Sequence, residues 1–311
     1  MSRLRALVTG GSGFFGRQIV AALRESGHEV TDLSLAPHPE IPTILADLTA
    51  SDVDFGGRRF DVVYHAAGLA HRVPKSEEEA NLFFRVNRDG TRHLMAALAR
   101  NGLPESFLLI STVAVYGLEV GTEVDENQPR RASDPYGLSK KQAEDDLAAW
   151  GQQHGVRTAV VRLPLLAGPH PPGNLGAMIA ALRRGRYLNV GGGHARRSMV
   201  LAREVAAMLP RVARRGGTYH LTDGHHPSFA ELATALANEL GVRQPISLPM
   251  VGARLAAGAG DLLEGVLGRE APFNSRKLRK MTSSLTFSDE RARRDLDWSP
   301  SRVIDHVREL I

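Results

Sequence analysis

The feature that most constrains this chain of 311 residues is a glycine-rich turn close to its start, TGGSGFFG at residues 9–16. A short apolar run at residues 4–8 precedes the turn, and apolar residues at helical spacing follow it until Gly27. Without Cβ atoms, Gly10, Gly13 and Gly16 allow a strand to turn sharply into a helix and allow backbone N–H groups to approach a diphosphate. The spacing is GxxGxxG and not GxGxxG, so the turn alone predicts phosphate binding and leaves the kind of dinucleotide protein open.

The rest of the pattern alternates strands with helices. Strands are predicted at residues 29–35, 43–46, 62–65, 107–110 and 158–163, with helices at 81–99 and 136–154. This alternation indicates a parallel sheet covered on both faces, so the predicted fold class is α/β, a Rossmann-like doubly wound parallel sheet. After Pro164 the regular alternation of strands and helices ends. Helices are predicted at 175–184, 202–209, 229–240 and 303–310 and a strand at 218–221, with otherwise short helices and loops.

This change in the pattern of strands and helices predicts that the chain is divided into a domain and a smaller lobe. Residues 1–165 are expected to form a dinucleotide-binding domain, to which residues 197–225 return. Residues 166–196 and 226–311 are expected to form a smaller C-terminal substrate-binding lobe.

Composition argues against several classes of protein. The absence of cysteine excludes disulfides and thiolate metal sites, so we expect no metal and a cytoplasmic location. No apolar run reaches the length that spans a bilayer, and the N-terminus runs straight into a strand, so we expect neither a membrane partner nor a signal peptide. The net charge is +5, but the basic residues are scattered and aromatic residues make up only 5%, which favours a small anionic ligand over nucleic acid.

Asp32 and Ser34, at the end of the predicted second strand, are candidates for contact with an adenosine ribose. The two share side-chain parity, so both could face the ligand. Asp32 would accept hydrogen bonds from a free 2′-hydroxyl, whereas Ser34 would leave room for the 2′-phosphate of NADP, although residues 25–57 contain no arginine. We therefore expect NAD, with NADP still open. Asp47 and Leu48 follow the third strand, where an acid could accept from the adenine amino group or simply cap a turn.

Tyr136 and Lys140 lie four residues apart on a predicted helix and therefore share a face. An ammonium group beside a phenol lowers the pKa of the phenol, so Tyr136 could exchange a proton with a substrate while a hydride moves to or from nicotinamide. Taken alone, the pair is equally typical of a surface helix. Ser111 and Thr112 follow the fifth strand, where a hydroxyl could contact the reacting oxygen or cap the strand end.

Together these segments resemble the extended branch of the short-chain dehydrogenase/reductases, specifically its nucleotide-sugar epimerase, dehydratase and reductase group. The resemblance covers most of the chain. TGGSGFFG is similar to the family's TGxxGxxG, YHAAG at 64–68 to its HxAA, VNRDGT at 86–91 to VNxxGT, and ISTVAVYG at 110–117 to SSxxVYG. PYGLSK at 135–140 is similar to PYxxSK, RLPLLAGP at 162–169 to RPPxVYGPG, and residues 292–300 to the LGWxP tail.

The resemblance implies a catalytic set of Thr112, Tyr136 and Lys140. It implies cofactor contacts from the turn, the adenosine side and the strand ends, namely Gly10, Ser12, Gly13, Phe14, Phe15, Gly16, Asp32, Ser34, Asp47, Leu48, Ala66, Ala67, Gly68, Asn87, Ser111, Tyr136, Lys140 and Leu163. It also implies that a nucleotide sugar is bound by Thr112, Val113, Tyr136, Asn174 and Arg197, the last two meeting the diphosphate.

Several departures from the family pattern narrow the expected activity. Thr112 replaces the commoner serine and keeps the hydroxyl, and Ala167 replaces a frequent tyrosine. Val113 and Ala114 stand where dehydratases carry an Asp-Glu pair, so dehydration is not expected. The resemblance is closest to the polysaccharide-biosynthesis subgroup and implies an NAD(P)-dependent enzyme acting at C4 of a UDP-sugar. The choice between a 4-epimerase and a 4-keto-sugar reductase stays open.

Two other functions stay in view. A reductase of a non-nucleotide alcohol or ketone is disfavoured by the arginines at 183, 184, 186, 196 and 197, which suit a diphosphate. A non-enzymatic dinucleotide-binding protein is disfavoured because Tyr136 and Lys140 are both present. The resemblance further implies a homodimer through helices 81–99 and 136–154, with four apolar residues available unless they pack inside the monomer: Met95, Leu98, Leu147 and Trp150.

Overall fold

The computed structural model describes residues 3–50, 53–70, 72–267, 271 and 273–311. The strands, in chain order, are β1 Arg5–Thr9, β2 Glu29–Ser34, β3 Thr43–Leu45, β4 Val62–His65, β5 Ser106–Thr112, β6 Gly121–Val124, β7 Arg157–Leu163, β8 Leu165–Ala167, β9 Leu188–Val190, β10 Met199–Leu201, β11 Gly217–Tyr219, β12 Ile246–Leu248 and β13 Leu285–Phe287.

The α-helices are α1 Phe14–Glu25, α2 Glu77–Phe83, α3 Gly90–Asn101, α4 Pro135–His154, α5 Gly173–Arg183, α6 Ala202–Arg215, α7 Phe229–Leu240, α8 Met250–Leu267, α9 Ser275–Thr282 and α10 Glu290–Leu296. Shorter turns are a π-helical turn at Phe84–Asp89 and 3₁₀ turns at Val113–Tyr116, Gly191–Gly193 and Val303–Leu310.

Seven strands of the described chain form one parallel sheet in the order β11-β7-β5-β4-β1-β2-β3. The chain order reverses between β1 and β4, as in a doubly wound sheet, and ligands of such sheets bind outside the carboxyl ends of the strands at that point. The predicted fold class is therefore confirmed. β11 extends the sheet beside β7, although it comes after the first segments of the C-terminal part.

The two faces of the sheet carry separate apolar layers, because successive side chains of a strand alternate between faces. Ala6 and Val8 of β1 pack in a buried cluster with α1 and α6, whereas Leu7 packs in another with α3 and α4. Both faces are thus covered by helices, as parallel sheets require. The carboxyl edge, where β1 ends at Thr9 and β5 ends at Thr112, is left for a ligand.

The C-terminal lobe has a core of its own. α5, α7 and the turns at Val303–Leu310 pack around Leu175, Leu236 and Leu310, which are all buried. The two-stranded pairs β8–β10, β9–β12 and β6–β13 lie outside the main sheet.

Two predicted elements differ from the structure. The single helix predicted at 81–99 consists of α2, the π-helical turn and α3. The prediction of only short helices and loops after residue 241 is wrong, because α8 is 18 residues long. Its inward face is built from small residues such as Ala253 and Ala257, so no inward stripe of large apolar residues marks it in the sequence.

The side chains proposed for a dimer interface pack inside the monomer. Met95, Leu98, Leu147 and Trp150 are 4%, 1%, 0% and 9% exposed, within the buried cluster of α3 and α4. Their assignment to an interface is therefore wrong, because the sheet already buries them. The homodimer itself stays a prediction.

Within the described residues, no helix is both long and apolar enough to cross a bilayer. Nor do three or more His, Asp or Glu side chains of this part of the chain form a group that could hold a metal ion.

Candidate active site

The glycine turn between β1 and α1 is shaped by close backbone contacts. Gly10 has a φ of +71°, and a Cβ on Gly16 would lie 1.9 Å from the Gly10 carbonyl oxygen. The Gly13 N–H donates to that carbonyl at 3.0 Å. No side chain caps the N-terminus of α1 in the described structure, so the first N–H groups of the helix, next to Ser12, fit an anionic diphosphate.

Asp32 lies beneath this turn. Its carboxylate is fully buried and accepts hydrogen bonds from the Gly11 N–H and the Ser34 hydroxyl, both at 2.7 Å. In the described structure Asp32 is therefore engaged by the turn itself, and its contact with a ribose stays a prediction. Ser34 is the residue of the pair that lines the neighbouring cavity.

A cavity of about 530 Å³ opens beside the turn, a size typical of small-molecule sites. Its lining contains nine predicted residues: Gly10, Ser12, Gly13, Ser34, Asp47, Leu48, Ala66, Ala67 and Gly68. Asp47 is the one charged side chain in the described lining, and its carboxylate accepts from the Thr49 N–H and hydroxyl, each at 2.8 Å. Leu82 and Val86 also line the cavity; Val86 belongs to the VNRDGT segment, but neither residue was predicted to contact a ligand.

His65, at the end of β4, connects β1 to α3 through hydrogen bonds. Its Nδ1 lies 2.7 Å from Thr9 Oγ1, and its Nε2 lies 2.9 Å from Thr91 Oγ1. The Thr91 hydroxyl donates to the Asn87 carbonyl at 2.6 Å, so His65 Nε2 must be the donor and the ring is neutral. Burial, helped by the charge of Lys140, lowers the pKa of His65 to about 3. His65 is thus a structural anchor near neutral pH.

Asn87 joins the end of β4 to α4. Its Oδ1 accepts from the Leu69 N–H at 2.7 Å, and its Nδ2 donates to the Leu69 carbonyl at 3.1 Å and to the Ser139 hydroxyl at 3.0 Å. Ser139 precedes Lys140 on α4. Because protein groups engage its amide on both sides, Asn87 positions the site rather than contacting a ligand.

Thr112 and Tyr136 meet at the carboxyl end of β5. Tyr136 lies in the first turn of α4, after the N-cap residue Asp134, and its phenol interacts with the Thr112 side chain, which acts to lower the pKa of the phenol. Thr112 Oγ1 also accepts from the Ala114 N–H at 3.2 Å. Lys140 follows one turn later and is 5% exposed. The structure thus brings the three predicted catalytic residues to one edge of the sheet.

Burial dominates the electrostatics of this pair of helix residues. It raises the pKa of Tyr136, an effect partly opposed by the interaction with the Thr112 side chain. It also lowers the pKa of Lys140 to about 8, with the Glu144 carboxylate opposing. The prediction of a lowered phenol pKa is therefore wrong, because desolvation disfavours the charged forms of both groups.

Glu144, one turn beyond Lys140 on α4, is a buried hydrogen-bond acceptor that was not predicted from the sequence. It is 4% exposed and accepts from Arg162 Nη2 at 2.8 Å, from Arg130 Nη1 at 3.1 Å and from the Ser111 hydroxyl. The Ser111 side chain is therefore engaged by a carboxylate and is not directed to a cofactor. The four-residue spacing from Lys140 was the available signal, since it places Glu144 on the same helix face.

Four other predicted site residues have side chains that lie in apolar clusters or pack against them. Phe15 and Leu163 are 8% and 4% exposed in the cluster with α1 and α6, so only their backbone can meet a cofactor. Val113 packs against the small cluster that contains Tyr116 and Phe287. Phe14 is partly buried against the first of these clusters.

A second cavity, of about 620 Å³, lies in the C-terminal lobe and brings Asn174 and Arg197 together. The Arg197 guanidinium donates to the carbonyls of Ser283 and Lys280, and it lies over the Phe229 ring, 5.5 Å from the centroid. Burial lowers the pKa of Arg197. Most of the remaining lining is apolar and was not predicted, since its segments are far apart in sequence: Leu118, Ala177, Met178, Ala181, Tyr187, Leu188, Val190, Met281 and Leu285.

Comparison with known proteins agrees with this arrangement. The sequence model of the family described as "NAD dependent epimerase/dehydratase family" matches residues 6–221. The chain is 27% identical to the N-acetyl-alpha-D-glucosaminyl-diphospho-ditrans,octacis-undecaprenol 4-epimerase of Escherichia coli O157:H7, over 90% of this chain and 86% of that protein. It is 30% identical to the 4-hydroxy-2-methyl-3-oxo-4-farnesyl-3,4-dihydroquinoline-1-oxide ketoreductase of Stigmatella aurantiaca, over 95% and 92% of the two chains.

Among solved structures, the UDP-glucose 4-epimerase of Thermotoga maritima with UDP-glucose is similar in fold. The TM-score is 0.78 at 19% identity, and the likeness covers 98% of this chain and 96% of that one. At this identity the likeness shows the fold alone.

Proposed function

This chain belongs to the NAD dependent epimerase/dehydratase family, and we propose that it acts at C4 of a nucleotide-diphosphate sugar, as a 4-epimerase or a 4-keto-sugar reductase. The observation that carries the proposal is that the fold brings Thr112, at the carboxyl end of β5, together with Tyr136 and Lys140, which lie one turn apart on α4. This arrangement places a proton-exchanging hydroxyl and its orienting partner at the sheet edge where the cavity of the glycine turn also opens.

The chemistry divides between cofactor and protein. When bound, the nicotinamide supplies or removes a hydride at the substrate carbon. Tyr136 donates its proton to a carbonyl oxygen or accepts one from a hydroxyl, and its raised pKa keeps the phenol protonated and ready to donate. Thr112 orients the oxygen that exchanges this proton. The Lys140 ammonium stabilises the phenolate that is left when the proton has gone.

NAD is the cofactor we propose. A 2′-phosphate would need a cation, but the one charged side chain in the described lining of the 530 Å³ cavity is the Asp47 carboxylate. Ser34, rather than Asp32, then faces the adenosine ribose, since its side chain lines the cavity. The uncapped N-terminus of α1 holds the diphosphate.

The lobe cavity is the proposed substrate site. Arg197 supplies positive charge and Asn174 an amide, and Lys280, which is paired with Glu119 of the same lining at 3.5 Å, adds a second cation, so the site suits a sugar diphosphate. The volume of 620 Å³ is in the range of small-molecule sites.

The apolar wall of the same cavity favours a second candidate, a substrate that carries an apolar chain. Tyr187, Leu188 and Met281 line the cavity beside the cations. The two sequence relatives named above act, by their names, on a polyprenol-linked sugar diphosphate and on a farnesylated ketone. A polyprenyl diphosphate sugar would use both the cations and the apolar wall.

The test is an assay of the purified protein with UDP-sugars, UDP-4-keto sugars and polyprenyl diphosphate sugars, each with NAD(H) and NADP(H). We expect interconversion at C4 or oxidation of the reduced cofactor with one of these classes. Tyr136→Phe should lower turnover about 10²- to 10⁴-fold, since it removes the proton donor and leaves the ring.

The matched control is Tyr219→Phe, which removes a phenol hydroxyl from β11 at the far edge of the sheet and should leave turnover unchanged. Turnover that survives Tyr136→Phe would exclude the catalytic role. No reaction with any sugar diphosphate would exclude the proposed substrate class.

A further inference from the structure

α8 presents its large apolar side chains to solvent and its small ones to the protein. Val251, Leu255 and Leu262 are 71%, 72% and 71% exposed. Ala253 and Ala257, by contrast, are fully buried in a cluster with α9. Because spacings of four and seven residues return to one side of a helix, the three exposed side chains form a single stripe, opposite the packing face.

The stripe carries no charge. From Met250 to Leu267 the sequence has three charged residues, Arg254, Asp261 and Glu264. Both acids bind the segment that follows α8: the Asp261 carboxylate accepts from the Ser275 N–H at 3.0 Å, and Glu264 accepts from Asn274 at 2.8 Å. An exposed apolar face of this size indicates a binding surface.

Exposed apolar side chains also occur on β9, β12 and α9, which lie next to α8 in the chain or in the fold, and at the lobe cavity. Leu188 and Ile246 are register partners in the β9–β12 pair and are 45% and 73% exposed. Leu188 and Met281 also line the cavity. Of the twelve large apolar side chains that are exposed in the described chain, seven belong to this part of the lobe: Leu188, Ile246, Val251, Leu255, Leu262, Leu263 and Met281.

Basic residues surround this surface. Residues 183–197 and 243–280 together contain twelve arginines and lysines and only three acids, although the whole chain has a net charge of only +5. On α9, which packs against α8 through Leu278, Arg276 and Arg279 are exposed. The occupant of the surface should therefore be apolar and carry negative charge.

We propose that α8 docks on the surface of a bilayer that contains anionic lipid, with the stripe of Val251, Leu255 and Leu262 in the interface. Helices that lie on membranes combine a large apolar stripe with flanking lysines and arginines in this way. A second copy of the chain fits less well, because it would place the same cations against each other. The proposal departs from the expectation, drawn from the sequence, of no membrane partner.

Docking would also set the cavity mouth against the bilayer, since Leu188 and Met281, which line the cavity, are exposed on the same part of the lobe as α8. A substrate carried on a lipid could then enter the cavity without leaving the membrane. This consequence rests on the proposed function, whereas the docking itself does not.

The test is flotation of the full chain with two kinds of vesicle, phosphatidylcholine alone and phosphatidylcholine mixed with phosphatidylglycerol. We expect flotation with the mixed vesicles, weakened by salt. Leu255→Gln combined with Leu262→Gln should lower the partition coefficient roughly 100-fold, from the loss of two buried leucine side chains. Arg276→Gln with Arg279→Gln should remove most of the dependence on phosphatidylglycerol.

The matched control is Leu103→Gln, an exposed leucine that precedes β5 at the opposite end of the sheet, and it should float like the wild type. Thermal unfolding of each variant shows that it folds. Absence of flotation at low salt, or equal flotation of the double leucine variant, overturns the proposal. So does sedimentation that finds a wild-type dimer which the double leucine variant converts to a monomer. None of these readouts needs turnover, so they are independent of the proposed reaction.

Discussion

Asp32 is a buried carboxylate that organises the glycine turn between β1 and α1. It lies under the glycine turn with no exposed surface and receives two donors, the Gly11 N–H and the Ser34 hydroxyl. Hydrogen bonds to an ionised carboxylate are stronger than those between neutral groups. Asp32 therefore holds both the glycine turn and the Ser34 hydroxyl, whose residue lines the cavity of about 530 Å³.

Asp32→Ala should destabilise the protein by about 1–3 kcal/mol, because it leaves the buried Gly11 N–H without an acceptor. It should also weaken NAD binding, since the turn loses its support. Asp32→Asn keeps an acceptor for Gly11 and is the matched control, with a smaller loss of both quantities. Urea unfolding and NAD titration measure them. Equal losses in the two variants would show that the Gly11 contact does not support the turn.

At the residue scale, the sequence could predict which side chains meet but not how their surroundings change them. The four-residue spacing of Tyr136 and Lys140 fixes their common face, and the strand end fixes Thr112 beside them. The direction of the Tyr136 pKa shift depends on how deeply the phenol is buried, which spacing does not encode. Likewise, nothing in the local pattern around Ser111 shows that its hydroxyl donates a hydrogen bond to Glu144.

At the scale of elements, the π-helical turn at Phe84–Asp89 links the segment after β4 to α4. It lies between α2 and α3 and carries Asn87, whose side chain is fully buried. π-helical turns often occur at functional sites, where the wider turn redirects a side chain. Here the redirected amide meets Leu69 after β4 and Ser139 on α4.

Asn87→Ala should lower NAD affinity and turnover together, because it frees residues 68–69 from α4. It should also destabilise the protein by about 1–3 kcal/mol, since the Leu69 N–H and carbonyl lose their partners. NAD titration, steady-state kinetics and urea unfolding measure these effects. The control Asn81→Ala removes an exposed amide from α2 and should change none of them. NAD affinity that is unchanged in Asn87→Ala would contradict the positioning role.

The elements that the sequence predicted correctly are those whose apolar residues point inward. α1 buries Ile19, Val20 and Leu23 on one face, which is the pattern read from the sequence. α8 was not predicted as a long helix, because its inward face is made of alanine and glycine. A Cβ on Gly260 would lie 1.9 Å from the Phe273 carbonyl oxygen, so this face must be small for α8 to approach its neighbour.

At the scale of the whole molecule, a buried polar chain links the main sheet to the C-terminal segment. The Arg162 guanidinium donates to the Tyr116 hydroxyl at 2.8 Å, and Tyr116 in turn lies 2.6 Å from His220 Nε2. His220 Nδ1 lies 3.1 Å from the Ser288 carbonyl, so Nδ1 donates there and Nε2 accepts from Tyr116. These residues come from β7, the turn after β5, the segment after β11 and the segment after β13. All the hydrogen bonds of this buried network can form together only when His220 is neutral.

This requirement predicts a loss of stability in acid. Burial lowers the pKa of His220 to about 4, below its ordinary value of 6.5. The unfolded chain therefore takes up a proton from His220 as the pH falls through 6.5, while the folded chain does so only near 4. Stability from His220 is complete above pH 6.5 and is lost as the pH falls toward 4.

Between pH 7 and pH 5 the wild type should thus lose about 2 kcal/mol of unfolding free energy through this one group. The glutamine of His220→Gln can accept from Tyr116 and donate to Ser288, but it does not titrate. Between pH 7 and pH 5 this variant should therefore lose about 2 kcal/mol less unfolding free energy than the wild type. Urea unfolding at both pH values measures the difference. His194→Gln, which removes an exposed histidine of the C-terminal lobe, should lose as much unfolding free energy between pH 7 and pH 5 as the wild type. Identical pH slopes for His220→Gln and the wild type would mean that His220 is charged in the folded protein, and the neutral chain from Arg162 to Ser288 would then be wrong.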